Sequence, residues 1–203
     1  MKTLPLIAFH FCCTALLAQN SLFYASGALK AFGQTQKEMK QGVWKYYYET
    51  GEKSAVLQYN QDELNGVQYY YADNNQLIAQ EFWQDDLLQD SAWYYHPNGN
   101  LEKKGVYKDG LYEGQWIFNN EDGRAKRGGS YKEGLPNGYW QFFHSNGSIN
   151  QKGILIDGKE DGEWQYFDED GEATYLGSWE TGEKQGQWYF FKKDVKKKWK
   201  KFK

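Results

Sequence analysis

The chain of 203 residues is polar on average, with 25 % charged side chains, yet 19 % of it is aromatic: nine Trp, seventeen Tyr and twelve Phe. Rings of about 150–250 Å² each must supply most of the burial, and their abundance argues against a disordered chain. A net charge of −3 argues against the basic footprint of a nucleic-acid binder, and beyond residue 20 no apolar run approaches the roughly 20 residues of a membrane-spanning helix.

Residues 1–18 read as an export leader, with Lys2, an apolar stretch from Leu4 to Leu17, and Ala18 as the small residue before a cut. An uncleaved anchor is the alternative, although the stretch is short for a span. Bulky Phe9-His10-Phe11 stands before Cys12 and Cys13, where a lipid-modified cysteine would have small residues. Both cysteines fall in the leader, so the exported chain is expected to carry no disulfide, thiolate nucleophile or Cys-bound metal. Periplasm, outer envelope or secretion medium is its expected location. Residues 19–32 are expected to form an N-terminal edge.

From residue 33 to 191 the chain repeats itself about every 24 residues. Trp recurs at 44, 93, 116, 140, 164 and 188, with Gln68 in the missing slot. Two residues before each slot stand Gly42, Gly66, Ser91, Gly114, Gly138, Gly162 and Gly186; two after stand Tyr46, Tyr70, Tyr95, Phe118, Phe142, Tyr166 and Phe190. Turns are signalled at Gly51, Asn75, Gly99, Gly123, Gly147 and Gly171, and again at Gly110, Gly134, Gly158 and Gly182. A further glycine recurs at 33, 105, 129, 153 and 177. Alternation with period two between turn signals predicts strands, and Asn-Gly or Asp-Gly between them predicts hairpins. The fold class expected is all-β, an elongated single-layer antiparallel sheet of about seven stacked 24-residue hairpins. About fourteen strands at 4.7–4.9 Å would span roughly 65–70 Å. A glycine in each strand gives a neighbouring ring room to lie flat on the backbone, and each unit touches only its neighbours.

The units Gly114-Gln-Trp116-Ile-Phe118, Gly138-Tyr-Trp140-Gln-Phe142-Phe143 and Gly162-Glu-Trp164-Gln-Tyr166-Phe167 resemble variant MORN repeats of YwqK-type proteins, described as antitoxin components. The resemblance extends over residues 27–191 and implies a twisted sheet of stacked hairpins. It further implies a scaffold that binds protein or membrane, or an immunity partner of a secreted toxin. It brings no catalytic motif, cofactor or metal.

Gly153–Glu160 has the spacing of a phosphate loop, but its interior reads as a strand and Glu160 stands where Ser or Thr would hold magnesium. His96 and His144 occupy equivalent turns two units apart, about 19 Å, which is too far for a shared zinc; both are expected to be exposed. Carboxylates cluster at Asp85-Asp86, Glu121-Asp122, Glu160-Asp161 and Asp168-Glu169-Asp170, without the ligand spacing of a calcium loop. Trp44, Trp93, Trp116, Trp140, Trp164 and Trp188 are expected to form a structural ladder. Tyr47, Tyr71, Phe143, Phe167 and Phe191 belong to the opposite face and are the candidate partner-binding surface if no layer covers them. The tail from Lys192 to Lys203 holds eight Lys and one Asp. Lys196, Lys197, Lys198, Lys200 and Lys201 either meet an anionic envelope surface or discourage edge-to-edge association while Val195, Trp199 and Phe202 pack as a last strand. The function expected is non-enzymatic binding of another protein, a toxin in the sharper form that the resemblance implies; the alternative is an envelope structural or glycan-binding module using aromatic rows.

Overall fold

The computed structural model describes residues 17–193 and 195–203. The expected leader, with Cys12 and Cys13, lies outside them except for Leu17 and Ala18. The described residues form one open antiparallel sheet, without helices. In chain order its strands are β1 (Ala18–Phe23), β2 (Leu29–Gln36), β3 (Met39–Tyr47), β4 (Lys53–Asn60), β5 (Glu63–Leu64), β6 (Gly66–Tyr71), β7 (Leu77–Gln84), β8 (Leu87–Leu88) and β9 (Asp90–Tyr95). There follow β10 (Leu101–Lys108), β11 (Leu111–Asn119), β12 (Ala125–Lys132), β13 (Leu135–Phe143), β14 (Ile149–Ile156), β15 (Lys159–Phe167), β16 (Ala173–Glu180), β17 (Glu183–Lys192) and β18 (Val195–Phe202). Each pairs with the next in a meander. The exceptions are β5 with β6, both against β4, and β8 with β9, both against β7. Those pairs are single strand positions broken at Asn65 and Gln89. The resulting stack of strand positions spans about 70–75 Å at 4.7–4.9 Å each.

Two kinds of turn alternate. Within each unit a five-residue loop closes with a left-handed residue: His96 N–H donates to Asn100 O at 2.8 Å, Gly99 N–H to His96 O at 2.9 Å, and Gly99 has φ +91°. Between units the link has two residues, both with positive φ, such as Asp109 at +52° and Gly110 at +79°. This turn matches the right-handed twist of the flanking strands. Its second amide also reaches back to the previous unit, as Gly134 N–H does to Tyr112 O at 2.9 Å.

A left-handed residue in the Trp-bearing strand position of each unit keeps the period at 24 throughout: Gly42, Gly66, Asp90, Gly114, Gly138, Gly162 and Gly186. This corrects one unit of the sequence reading. Ala92, not Trp93, pairs with Gly105, as Trp116 pairs with Gly129 and Trp140 with Gly153. Asp90 takes the glycine's place before it, so Ser91 and Tyr95 yield theirs to Asp90 and Tyr94. Ala92 is buried, whereas Trp93, one residue on, is half-buried and faces the other way. The ladder therefore consists of Trp44, Trp116, Trp140, Trp164 and Trp188, each at most 2 % exposed.

Those indoles are the core of a single-layer sheet. A Cβ on Gly153 would stand 2.3 Å from Trp164 Cδ2, and Gly33, Gly105, Gly129 and Gly177 lie under Trp44, Trp116, Trp140 and Trp188 in the same way. Lying flat also brings each Nε1–H to the carbonyl after the glycine: Trp44 to Gln34 O at 2.8 Å, Trp116 to Val106 O at 2.9 Å and Trp164 to Ile154 O at 3.1 Å. Rings from the same face cover the indoles. Tyr112 stacks on Trp116 at 3.9 Å, Tyr131 meets Trp140 edge-on at 5.1 Å, and Phe142 and Tyr166 link Trp140 through Trp164 to Trp188 at 5.8–6.5 Å.

The hairpin pattern extends beyond the expected range at both ends. Tyr24 and Gly27 form a loop like the others, and Asn20 pairs with Gly33 where later units bring a Trp or its substitute. At the other end the lysine-rich segment is a full strand, β18, whose Trp199 and Phe202 pack on Trp188 at 6.3 and 5.9 Å while Val195 remains exposed.

Candidate binding surfaces

On the indole face the ladder is interrupted at Gln68 and Ala92, and polar groups fill the gap. Gln68, fully buried, accepts from Gln58 N–H at 2.6 Å and donates to Gln58 O at 3.1 Å. That carbonyl is equivalent to the ones the indoles use. Where the next indole would need a glycine stands Glu81, whose carboxylate accepts from Trp83 Nε1 at 2.8 Å and from the Tyr94 hydroxyl at 2.7 Å. Burial, then the hydrogen bonds to Tyr107 and Glu81, push the Tyr94 phenol well above its ordinary range. Burial does the same to Tyr107, Tyr70 and Tyr59. This network replaces missing apolar contacts with satisfied hydrogen bonds.

The outer face carries the five rings singled out from sequence. Tyr47, Tyr71, Phe143, Phe167 and Phe191 are all half-buried, near the five-residue loops. Phe32 stacks against Tyr47 at 6.1 Å, Lys53 Nζ lies 4.0 Å from the Tyr71 ring centre, and Lys152 Nζ lies 5.1 Å from that of Phe167. Lysine stems thus cover part of these rings. More accessible apolar side chains run along the middle of the same face: Val43, Val106, Ile117, Tyr139 and Ile154, between 38 and 52 % exposed. Tyr139 and Ile154 are direct cross-strand partners, and the band dips at Gly128 into a groove of about 300 Å³ between Ile117 and Tyr139. Sequence reasoning passed over these positions, although they were legible as immediate neighbours of a ladder Trp or its glycine.

The loop residues serve as staples. His96 Nε2 donates to Asn119 O at 3.1 Å and His144 Nε2 to Phe167 O at 3.0 Å, and both rings are half-buried rather than exposed. Tyr24 and Tyr48 make the equivalent bond from their hydroxyls, at 2.8 and 2.7 Å. Asp168 caps its own loop, accepting from Asp170 and Glu172 N–H; Asp86 accepts from Leu64 N–H; and Asp161 accepts from Thr181 N–H. In the phosphate-loop look-alike, Gly153 lies beneath Trp164 and Gly158 is a left-handed turn residue. Arg124 and Asp122, at 2.7 Å, form the one ion pair among the described residues.

At the C-terminal end β18 exposes Lys196, Lys197, Lys198, Lys200 and Lys201 along the sheet's last edge. Lys196 Nζ sits 4.1 Å over Tyr189 and Lys200 Nζ 4.9 Å over Phe202. On the indole face beside this strand lies a groove of about 480 Å³, walled by Tyr166, Tyr175, Trp179, Trp188 and Trp199, with Gln151, Glu160 and Lys184 among its lining.

Two stretches match the MORN repeat variant: residues 40–61, which hold nearly all of the β3–β4 hairpin, and residues 94–109, which hold the end of β9 and all of β10. The repeat variant is thus detected at two stretches of the chain. Its period continues through units with no separate match. Among solved structures the chain is similar to "Crystal Structure of TcdB2-TccC3-TEV", at 10 % identity over 87 % of this chain and 12 % of that one, with a TM-score of 0.22. It is also similar to "Crystal Structure of TcdB2-TccC3 without hypervariable C-terminal region", at 12 % identity over 85 % of this chain and 13 % of that one, with a TM-score of 0.20. The chain spans about an eighth of the length of those chains. No curated protein matches it.

Proposed function

We propose that this protein is an exported, non-enzymatic MORN-variant scaffold that binds another protein on its outer face. The observation carrying the reading is the exposed apolar band of Val43, Val106, Ile117, Tyr139 and Ile154, on a face covered by no second layer of the described chain. Apolar patches of this kind mark contact surfaces, and aromatic anchors such as Tyr139 contribute disproportionately to binding energy. The half-buried Tyr47, Tyr71, Phe143, Phe167 and Phe191 form its margin, where turn carboxylates tune specificity. Neutralising a secreted toxin, as the YwqK-type resemblance implies, is the sharper form of this reading; export then puts the encounter outside the cytoplasm. The lysines of β18 hold the sheet near an anionic envelope surface.

The test uses the full chain with Tyr139→Lys and Ile154→Glu combined, which places opposite charges across the strand pair. Both side chains are exposed, so melting should stay close to that of the parent. Capture from the protein's own envelope fraction should give one stoichiometric protein with the parent chain and none with the double variant. Equal capture by both chains, or no stoichiometric protein at all, ends the reading.

A further inference from the structure

We infer that the groove at the C-terminal end of the indole face is a saccharide site that accepts a neutral pyranose chain. The repeat itself singles out the place. In the middle units the rings of this face are covered by cations from the neighbouring strand: Lys103 Nζ lies 4.3 Å from the Tyr94 ring centre, and the Arg127 guanidinium lies 4.5 Å from that of Phe118. The equivalent position in β16 is Tyr175, itself a ring and 41 % exposed. Opposite Trp188, where other units have a glycine, β18 carries an extra residue and places Trp199, 48 % exposed. Tyr175 and Trp199 stand 5.2 Å apart and tilted by 55°, two accessible flat surfaces above a floor of buried Trp188.

The polar lining decides the ligand's chemistry. Lys184 Nζ is held within 5.6 Å of four ring centres, Trp179, Trp188, Trp199 and Phe202, so the place where an organic cation would bind is already taken by a positive charge. Glu160, on the same groove, opposes a polyanion. A proline-rich peptide offers carbonyl acceptors to aromatic grooves, but two of the three indole N–H groups here are already spent, Trp179 Nε1 on the Tyr166 hydroxyl at 3.0 Å and Trp188 Nε1 on Ser178 O at 3.2 Å. What the lining offers is the amide of Gln151, the carboxylate of Glu160, the ammonium of Lys184 and the phenol hydroxyls of Tyr166 and Tyr175. That mixture of donors and acceptors suits hydroxyl groups, which both donate and accept. A volume of about 480 Å³ is within the range of small-ligand clefts.

The test is a tryptophan-fluorescence titration of the full chain with cellohexaose and with chitohexaose. At least one hexaose should give a saturable change. Its affinity should fall about tenfold or more, some 1.4 kcal/mol, in Tyr175→Ala and in Trp199→Ala. Trp199→Phe should retain most of it, and Gln165→Ala on the opposite face should leave it unchanged. Tyr175→Ala keeps the test open if Trp199→Ala unfolds, because Tyr175 packs at the surface. No saturable response to either hexaose, or undiminished binding by Tyr175→Ala, overturns the inference. Binding confined to a proline-rich decapeptide overturns it in favour of a peptide groove, and binding confined to polygalacturonate and lost in high salt overturns it in favour of the lysine edge.

Discussion

At the scale of single residues, glycine does two separate jobs here, and substitution distinguishes them. Gly153 has extended backbone, but its missing side chain is the seat of Trp164; a Cβ would stand 2.3 Å from the indole. Gly162 has open space where its Cβ would go, but its φ is +68°. Gly153→Ala must displace a buried indole and break its bond to Ile154 O, so a loss of about 3 kcal/mol is expected. Gly162→Ala should cost about 1 kcal/mol, the penalty for a left-handed alanine. Urea titration of the two variants measures the difference, and equal losses would mean that the flat indole is not what fixes these glycines.

At the scale of the element, the two-residue links between units differ between the halves of the molecule. In the later links the second residue is Gly110, Gly134, Gly158 or Gly182; in the first three it is Glu38, Asp62 or Asp86, with φ between +62° and +70°. Asp62 and Asp86 are compensated, since their Oδ1 atoms accept from Lys40 N–H at 2.7 Å and Leu64 N–H at 2.6 Å. Pro136, in the equivalent position two units past Leu88, has no such proton to offer. Glu38→Gly should therefore stabilise the fold by about 0.5–1 kcal/mol by relieving left-handed strain. Asp86→Gly should gain nothing, because it also removes a capping bond. Melting curves of the two single variants check this, and an equal gain from both would show that the carboxylate bond is without value.

At the scale of the molecule, stability is transmitted from unit to unit, and the passage from Trp44 to Trp116 is carried by Gln68 and Glu81 instead of indoles. Ala92→Trp alone would drive an indole into Glu81, and Glu81→Gly alone would leave Trp83 and Tyr94 without their acceptor. Each single change should destabilise. Together they restore the Trp-on-Gly arrangement, so a double-mutant cycle should give a favourable coupling of about 1–3 kcal/mol. Additive losses would mean that unit geometry, and not the Glu81 network, keeps an indole out of this place.

The period, the strands, the two turn types and the purpose of the recurrent glycine were all legible in the sequence, because side-chain alternation and left-handed turns are local properties. So was the outer-face parity of Tyr47, Tyr71, Phe143, Phe167 and Phe191. Tertiary structure alone decided the slot in the third unit, since Trp93 and Ala92 differ by one residue and residue type favoured the wrong one; a one-residue shift reverses the face of every side chain in a strand. It also decided how far each outer ring is covered, because Lys53 and Lys152 come from neighbouring strands whose cross-strand register no local pattern states. The aromatic groove depends on the same thing: Tyr175 and Trp199 meet only because β18 folds back onto β17 with an extra residue opposite Trp188.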